Sequence, residues 1–529
     1  MSASAKPRLA GRQPSLRGGV PRVTTRPRAP ACGKRGGTSP RTVLEDAMSA
    51  TTTLTATTST DDATDDATVS DVAPLRPVVG GGTFVPLVDG TRVSYANLDV
   101  AASAPALQAV ADRVTQVLPL YASVHRGAGY LSQVSTALYE TARRTIGAFV
   151  GAREDDLTIV TRNTTDSLNL LAGCVPAQPD GEPGRVLVLD VEHHANLLPW
   201  QRGADATVLT GGSTVAETLT QIREELADAA AHRPFALLAL TGASNVTGES
   251  LPVDEIVAVA HEFGARVVLD GAQLVPHRRI SLQSTGVDYL AFSGHKTYAP
   301  FGAGVLVGRR DWLDAGTPYL AGGGAVRRVR VAGTDWHEGP ARHEAGSPNV
   351  IGAVALAAAC EELAALDAAD VVAHENALRR RLVSGLEAIE RVEVVRVWAD
   401  AVDPVGVVTF TVAGYDPGLV AAYLSAEHGI GVRDGRFCAH PLLGRLGFDA
   451  GAVRASVGVG TAGEEVERLV AAVDSLVADG PQAGYDVVDG LWVVTDDPRP
   501  VPEGSGLAGL LATAALGFDE AFGCLPEES

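Results

Sequence analysis

Aromatic residues are scarce in this chain of 529 residues, at 5% of the total. Its core must therefore be built from small aliphatic side chains, and an apolar content of 46% supplies them. Cysteine is sparse too: Cys32, Cys174, Cys360, Cys438 and Cys524 are scattered, with no CxxC pair. That argues against a disulfide framework or a cysteine-ligated zinc site, and it fits a reducing, cytoplasmic setting. No apolar run approaches the roughly 20 residues of a membrane helix. No apolar core follows the basic N-terminal residues, so a secretory signal is not expected. Positive charge is in deficit, with 43 Lys and Arg against 63 Asp and Glu and a formal net charge of -20. Such a balance disfavours general binding to nucleic acid or to an anionic membrane surface. No GxGxxG follows the first strand with an acid about 20 residues on, which weakens a NAD-binding reading.

A chain this long exceeds one ordinary core and predicts two packed domains. Residues 1–75 change from Arg/Pro/Gly-rich to Thr/Ala/Asp-rich near Met48, and neither half has a periodic apolar pattern. They read as a disordered extension. The switch at Met48 also suits a start assigned too far upstream, and the basic arm alternatively suits a targeting or binding tail. From about residue 90 to 310, short apolar runs (VLVLD 186–190, FALLAL 235–240, RVVLD 266–270, GVLVG 304–308) alternate with amphipathic segments (218–231, 254–265). That alternation predicts an α/β fold whose mostly parallel sheet is covered on both faces. The large domain is expected over 76–350, with its N-terminal segment packing on a smaller α+β domain over 351–480. Within the smaller domain a helix over 374–392, strands VVRVW and VGVVTFTV, and a helix around EEVERLVAAVDSL are predicted. The tail 481–529 reads as a hairpin (YDVVDGLWVVTDDP) and a helix (AGLLATAALGFDEAF).

One stretch asks for a chemical explanation: FSGHKTYAPF (292–301) places Lys296 just past the buried-strand pattern VDYLAF. In an open parallel sheet, ligands bind beyond the carboxyl ends of the strands. Asp270 closes RVVLD at such an end. A lysine amine and a carboxylate so placed suit pyridoxal phosphate (PLP). The amine condenses with the aldehyde, and the carboxylate keeps the pyridine nitrogen protonated so that the ring accepts electrons. Ser293, His295 and a helix start at Asn163-Thr164-Thr165-Asp166 offer donors for a phosphate. Each piece alone has a plainer explanation: Asp270 as a turn residue, Thr164 and Thr165 as a helix cap, Lys296 as a solvated loop residue.

Taken together, these segments resemble the class V aminotransferase superfamily, PLP fold type I, and most closely its cysteine desulfurase branch. The resemblance runs from about residue 90 to 475 through YANLDVAASAP, SVHRGAGYLS, RNTTDSLNL, VEHHANLLPW, SNVTGESLPV, LDGAQLVPH, FSGHKTYAPFGAG, RHEAGSPN, VRDGRFCAHPL and VRASVGVGTAGEEVERL. It implies Lys296 as the PLP lysine, Asp270 as the pyridinium partner, His193 stacked on the ring and Gln273 on the ring hydroxyl. Asn245 matches the asparagine that the family places near cofactor and substrate. Thr164 or Thr165, Ser293 and His295 would hold the phosphate. The family is a homodimer, and Gly322, Gly323, Gly324 and Ser347 would reach the neighbouring cofactor. Arg454 resembles the arginine that clamps a substrate α-carboxylate, Arg433 a second substrate-side arginine, and His125 lies in the entrance loop.

Cys438 decides which reaction follows. Arg433 and Arg436 stand near it in sequence, and nearby positive charge raises the thiolate fraction of a thiol. The plainer explanation is a small buried apolar residue, which suffices for the other four cysteines. The resemblance implies that L-cysteine gives L-alanine, that a persulfide forms on Cys438, and that an acceptor protein or small thiol takes up the sulfur. Three departures lie around the substrate: Arg436 and Phe437 where the resembled enzymes usually carry polar residues, Asp434 beside Arg433, and a different 322–335 segment. Two other readings stay open. One is a class V aminotransferase, C–S lyase or epimerase with no need of Cys438; the other is a non-catalytic partner of the same fold.

Overall fold

Apolar strands buried on both faces organise the chain. The computed structural model describes residues 69–125 and 127–500. In chain order the elements used below begin with β1 (Ala96–Asn97), α1 (Tyr130–Phe149), β2 (Leu157–Thr161), α2 (Thr164–Ala172), β3 (Arg185–Leu189) and β4 (Asp205–Leu209). They continue with α3 (Val215–Ala230), β5 (Leu237–Thr241), α4 (Val253–Glu262), β6 (Arg266–Asp270), β7 (Tyr289–Ser293) and β8 (Gly304–Gly308). Strands β2 to β8 form one sheet in the order β2-β8-β7-β6-β5-β3-β4. All neighbours are parallel except β8, which runs antiparallel between β7 and β2. Alternation sends Leu238, Leu240, Val267, Leu269, Leu290 and Phe292 into one buried cluster and Leu237, Ala239, Val268, Tyr289 and Ala291 into another. With both faces covered, these strands read in sequence as nearly continuous apolar runs.

Next come α5 (Val350–Ala364), α6 (Ala368–Glu387), β9 (Val392–Val394), β10 (Val407–Val412), α7 (Pro417–His428), β11 (Ile430–Gly431), β12 (Arg433–Gly435), β13 (Ala452–Ser456) and α8 (Gly463–Asp479). Strands β9-β10-β13-β12 make an antiparallel sheet of four, and β11 pairs in parallel with β1. Just beyond β1 the chain meets the second sheet, where Ser456 N donates to Leu98 O at 2.7 Å. Helix α6, capped by Asp367, begins at Ala368, six residues before the predicted start at 374, and stops short of the predicted end at 392. The predicted strand VVRVW ends early, at Val394, because the Glu249 carboxylate captures the backbone N–H groups of Val397 and Trp398.

Residues 69–75, assigned from sequence to the extension, are packed. Leu75 N donates to Val459 O at 2.8 Å, and Gly463 N donates to Val72 O at 2.8 Å. Residues 1–68 and the predicted C-terminal helix lie outside the described residues. The predicted tail hairpin is present as Tyr485–Val488 paired with Leu491–Val494. Among the described residues, no helix is long and apolar enough to cross a membrane.

Candidate active site

Because β8 runs against its neighbours, its first residue lies at the same edge as the last residues of the others. Thr161, Gly304 and Ser293 are in register there, as are Thr241 and Asp270. Beyond this edge opens a cavity of about 400 Å³. It is lined from the strand ends by Thr241, Asp270 and Ser293, and from the following turns by His193, Asn245, Gln273, His295 and Lys296. Asn163, Thr164 and Thr165 complete that side, and Arg433, Phe437, Cys438 and Arg454 face it from the second sheet.

The start of α2 is built as an anion cradle. Asn163 Oδ1 accepts from Asp166 N at 2.9 Å, so the asparagine caps the helix. Ser293 Oγ accepts from Thr164 N at 2.8 Å and lies 2.6 Å from Thr164 Oγ1. The N–H groups of the first helical turn lack intrahelical partners and carry the positive end of the helix dipole.

Asp270 holds its place by accepting from Ala272 N at 2.9 Å. Burial pushes its carboxyl above the usual carboxylate range, opposed by that N–H and by Lys296. Burial pulls the Lys296 amine down to about 8, against the attraction of Asp270. The turn that presents Lys296 is tied by Thr297 Oγ1 donating to Ser293 O at 3.0 Å and by Tyr298, whose hydroxyl accepts from Val459 N at 3.0 Å. His193 Nδ1 accepts from Ala195 N at 3.0 Å, which leaves the neutral ring its proton on Nε2. Burial, with Lys296 nearby, drives the His193 pKa down to about 3, so the ring is a flat, neutral wall. Burial also lowers the His295 pKa. Gln273 Nε2 donates to Ala101 O at 2.8 Å, and Asn245 Nδ2 to Phe437 O at 2.8 Å.

On the opposite side, Arg433 and Arg454 are cross-strand neighbours on β12 and β13. Arg454 is 4% exposed; its NH1 donates to Asn245 O at 2.8 Å and its NH2 to Asp99 Oδ1 at 3.2 Å. Burial lowers its pKa, and Asp99 opposes that. Cys438 is half-buried in the loop after β12, where Phe437 and Cys438 have φ of 52° and 54°. Positive φ is strained for a bulky aromatic residue, and such conformations concentrate at functional sites. The loop is pinned by His194 N donating to Cys438 O at 2.9 Å.

Twelve residues singled out from the sequence thus face one cavity: Thr164, Thr165, His193, Asn245, Asp270, Gln273, Ser293, His295, Lys296, Arg433, Cys438 and Arg454. His125, Ser347 and the Gly322, Gly323 and Gly324 turn are not among its lining residues in this chain. His125 adopts φ 63°, and its Nε2 lies 2.9 Å from Glu140 Oε1, with the ring against Tyr139. Ser347 is exposed on the segment before α5, next to Gly346, whose N–H donates to Gly323 O at 2.8 Å. Sequence reasoning missed Thr241, Phe437 and Asp99. Thr241 carried a usable signal as the residue that closes β5. The parts played by Phe437 and Asp99 arise from contacts across the two sheets.

The model of the family described as Aminotransferase class-V matches residues 96–469. A probable cysteine desulfurase of Vibrio cholerae is 36% identical over 396 residues, covering 74% of this chain and 95% of that protein. The probable cysteine desulfurase 2 of Mycobacterium leprae is 39% identical over 361 residues, covering 66% and 84%. Among solved structures, the cysteine desulfurase CsdA of Escherichia coli superposes with a TM-score of 0.65 at 32% identity, covering 73% of this chain and 95% of that one.

Proposed function

We propose that this chain, which belongs to the class-V aminotransferase family, is a PLP-dependent cysteine desulfurase that converts L-cysteine to L-alanine and leaves a persulfide on Cys438. The observation that carries the proposal is the placing of Cys438 and Arg454 in the cavity that Lys296 and Asp270 also line. Thiol, carboxylate clamp and amine then surround one small amino acid.

The residues present fit the cofactor. The cavity has the size of a cofactor site. The α2 start with Ser293, Thr164, Thr165 and His295 would take the phosphate, and a buried carboxyl at Asp270 would take a protonated ring nitrogen. His193 would lie against the ring, Gln273 would reach its hydroxyl, and Lys296 would carry the aldehyde carbon. When bound, PLP supplies an electron sink for the carbanion at the substrate Cα.

The chain's own groups do the rest. Arg454, with Arg433 beside it, orients the α-carboxylate, and Asn245 steadies Arg454 through its carbonyl. Lys296, with its amine pulled down to about 8, is matched to taking the Cα proton near neutral pH. Cys438, as thiolate, attacks the substrate sulfur. The new S–S bond forms as the substrate Cβ–S bond breaks, and the C3 fragment leaves as L-alanine after protonation. A protein or small-molecule thiol then takes the outer sulfur and restores Cys438. By the same reading the enzyme is a cytoplasmic homodimer. The 322–324 turn and Ser347 would then contact the partner's cofactor, and His125 would lie at the mouth of the site.

The test is a comparison of wild type with Cys438→Ser, each given L-cysteine and a reductant, with alanine and sulfide measured together. Wild type should release both in equal amounts, and the variant should lose at least about 100-fold in both, as removal of a nucleophile does. Retention of alanine or sulfide release by Cys438→Ser would favour a class V reaction that bypasses the thiol.

A further inference from the structure

We infer that Asp99 is a built-in competitor at the substrate site: a resident carboxylate that occupies Arg454 until the carboxylate of an amino acid displaces it. The inference rests on the reading of Arg454 as the substrate clamp. It starts from how the Arg454 guanidinium is engaged. NH1 donates to Asn245 O at 2.8 Å, and the guanidinium carbon lies over the Phe437 ring, 5.2 Å from its centroid. NH2 reaches a single Asp99 oxygen at 3.2 Å. Nε is buried and has no hydrogen-bond partner among the described residues.

Nε–H and one NH2 hydrogen point along the same edge of the planar group, and a carboxylate takes that edge with two parallel bonds. Asp99 makes one contact with the guanidinium and leaves Nε–H unused. An incoming carboxylate gains both, so it can outcompete Asp99 at the arginine. The Asp99 side chain, 24% exposed, has room to withdraw. Its main chain stays fixed by a bridge to Ser456 and by the Ala102 and Ser103 N–H groups on its carbonyl. Arg433 lies close enough to favour the charged form of Asp99, while Asp434 opposes it.

Arg454 is thus never an unpaired buried cation, which is the costly state. Any ligand must also beat a tethered carboxylate. A bare carboxylate or inorganic anion offers only the arginine contact, whereas an amino acid adds those of its amine and side chain.

The experiment uses the cofactor-loaded protein and propionate as the bare carboxylate. Propionate binding to wild type, Asp99→Asn and Asp99→Ser is measured by calorimetry, with the KM for L-cysteine alongside. Both variants should bind propionate roughly tenfold tighter, the size of one charge-assisted contact, and the KM should fall as well. If Asp99 only held Arg454 in place, propionate binding and KM would both weaken. That outcome, or unchanged propionate affinity in folded variants, overturns the inference. Calorimetry does not depend on sulfur chemistry. Tighter propionate binding without alanine formation in wild type would sustain the role of Asp99 and refute the desulfurase reading. Alanine formation with unmoved propionate affinity would do the reverse.

Discussion

Gly304 opens β8 directly beneath the turn that starts α2. A methyl group there would meet Asn163 Cα at 2.5 Å, its carbonyl carbon at 2.7 Å and its nitrogen at 2.8 Å. Ordinary contact begins near 3.4 Å. Gly304→Ala must therefore open a gap of about 0.9 Å between strand and turn, the difference between 2.5 and 3.4 Å. Strand β8 cannot yield, because all five of its residues are buried and hydrogen-bonded on both sides. The turn moves instead, and with it Thr164 and the backbone N–H groups of the first helical turn.

Overpacking of this kind costs roughly 1–3 kcal/mol. A phosphate that loses one charge-assisted hydrogen bond to the displaced turn gives up about 1.5–3 kcal/mol, or roughly 10- to 150-fold in affinity. The assay is equilibrium dialysis of the loaded protein, with retained cofactor read by absorbance and thermal unfolding of the cofactor-free form run in parallel. Gly333→Ala is the control, because nothing lies within 4 Å of a Cβ at Gly333. The reasoning fails if Gly304→Ala retains cofactor within about twofold of wild type and unfolds within about a degree of it.

Two further outcomes follow from the protonation of buried groups. The Lys296 amine, pulled to about 8 from an ordinary 10.5, captures an aldehyde only when neutral. Uptake of PLP by cofactor-free protein should therefore quicken about tenfold per pH unit below 8 and level off above it, followed by stopped-flow absorbance. A rate that keeps climbing to pH 10 would place the amine at an unperturbed value. Burial pushes the Cys174 thiol up to about 12 and the Cys360 thiol higher still. Iodoacetamide at pH 8 should consequently label Cys438 at least about 100-fold faster than either in the folded protein, as read by peptide mapping. Comparable labelling of all three would contradict the burial of Cys174 and Cys360.

How far the sequence could be read depended on the range of the interactions involved. RVVLD and GVLVG coincide with β6 and β8 because strands buried on both faces are apolar at nearly every position. Lys296, Asp270 and Ser293 were legible for a related reason: each polar residue follows or ends such a run, and strand ends are where ligands bind. The strand proposed for VVRVW does not run on through Val397 and Trp398 because their N–H groups are taken by Glu249, 148 residues from Val397 in sequence. No local pattern encodes that bond. Asp99 escaped notice likewise, since its partner Arg454 is 355 residues distant.

The same contrast accounts for the Arg436-Phe437 pair before Cys438, the departure from the resembled enzymes nearest the thiol. Main-chain atoms do much of the work of holding this loop against the first sheet. His194 N binds Cys438 O, Asn245 Nδ2 binds Phe437 O, and Arg454 binds Asn245 O. None of these bonds specifies the side chains at 436 and 437. Arg436 turns outward, its Nε donating to Asp449 O at 2.8 Å, while Phe437 turns inward onto Arg454. The Phe437 ring, 5.2 Å from the guanidinium carbon, offers Arg454 a cation–π contact and takes none of its N–H donors. In this arrangement Phe437 packs against the arginine while Cys438 lines the cavity.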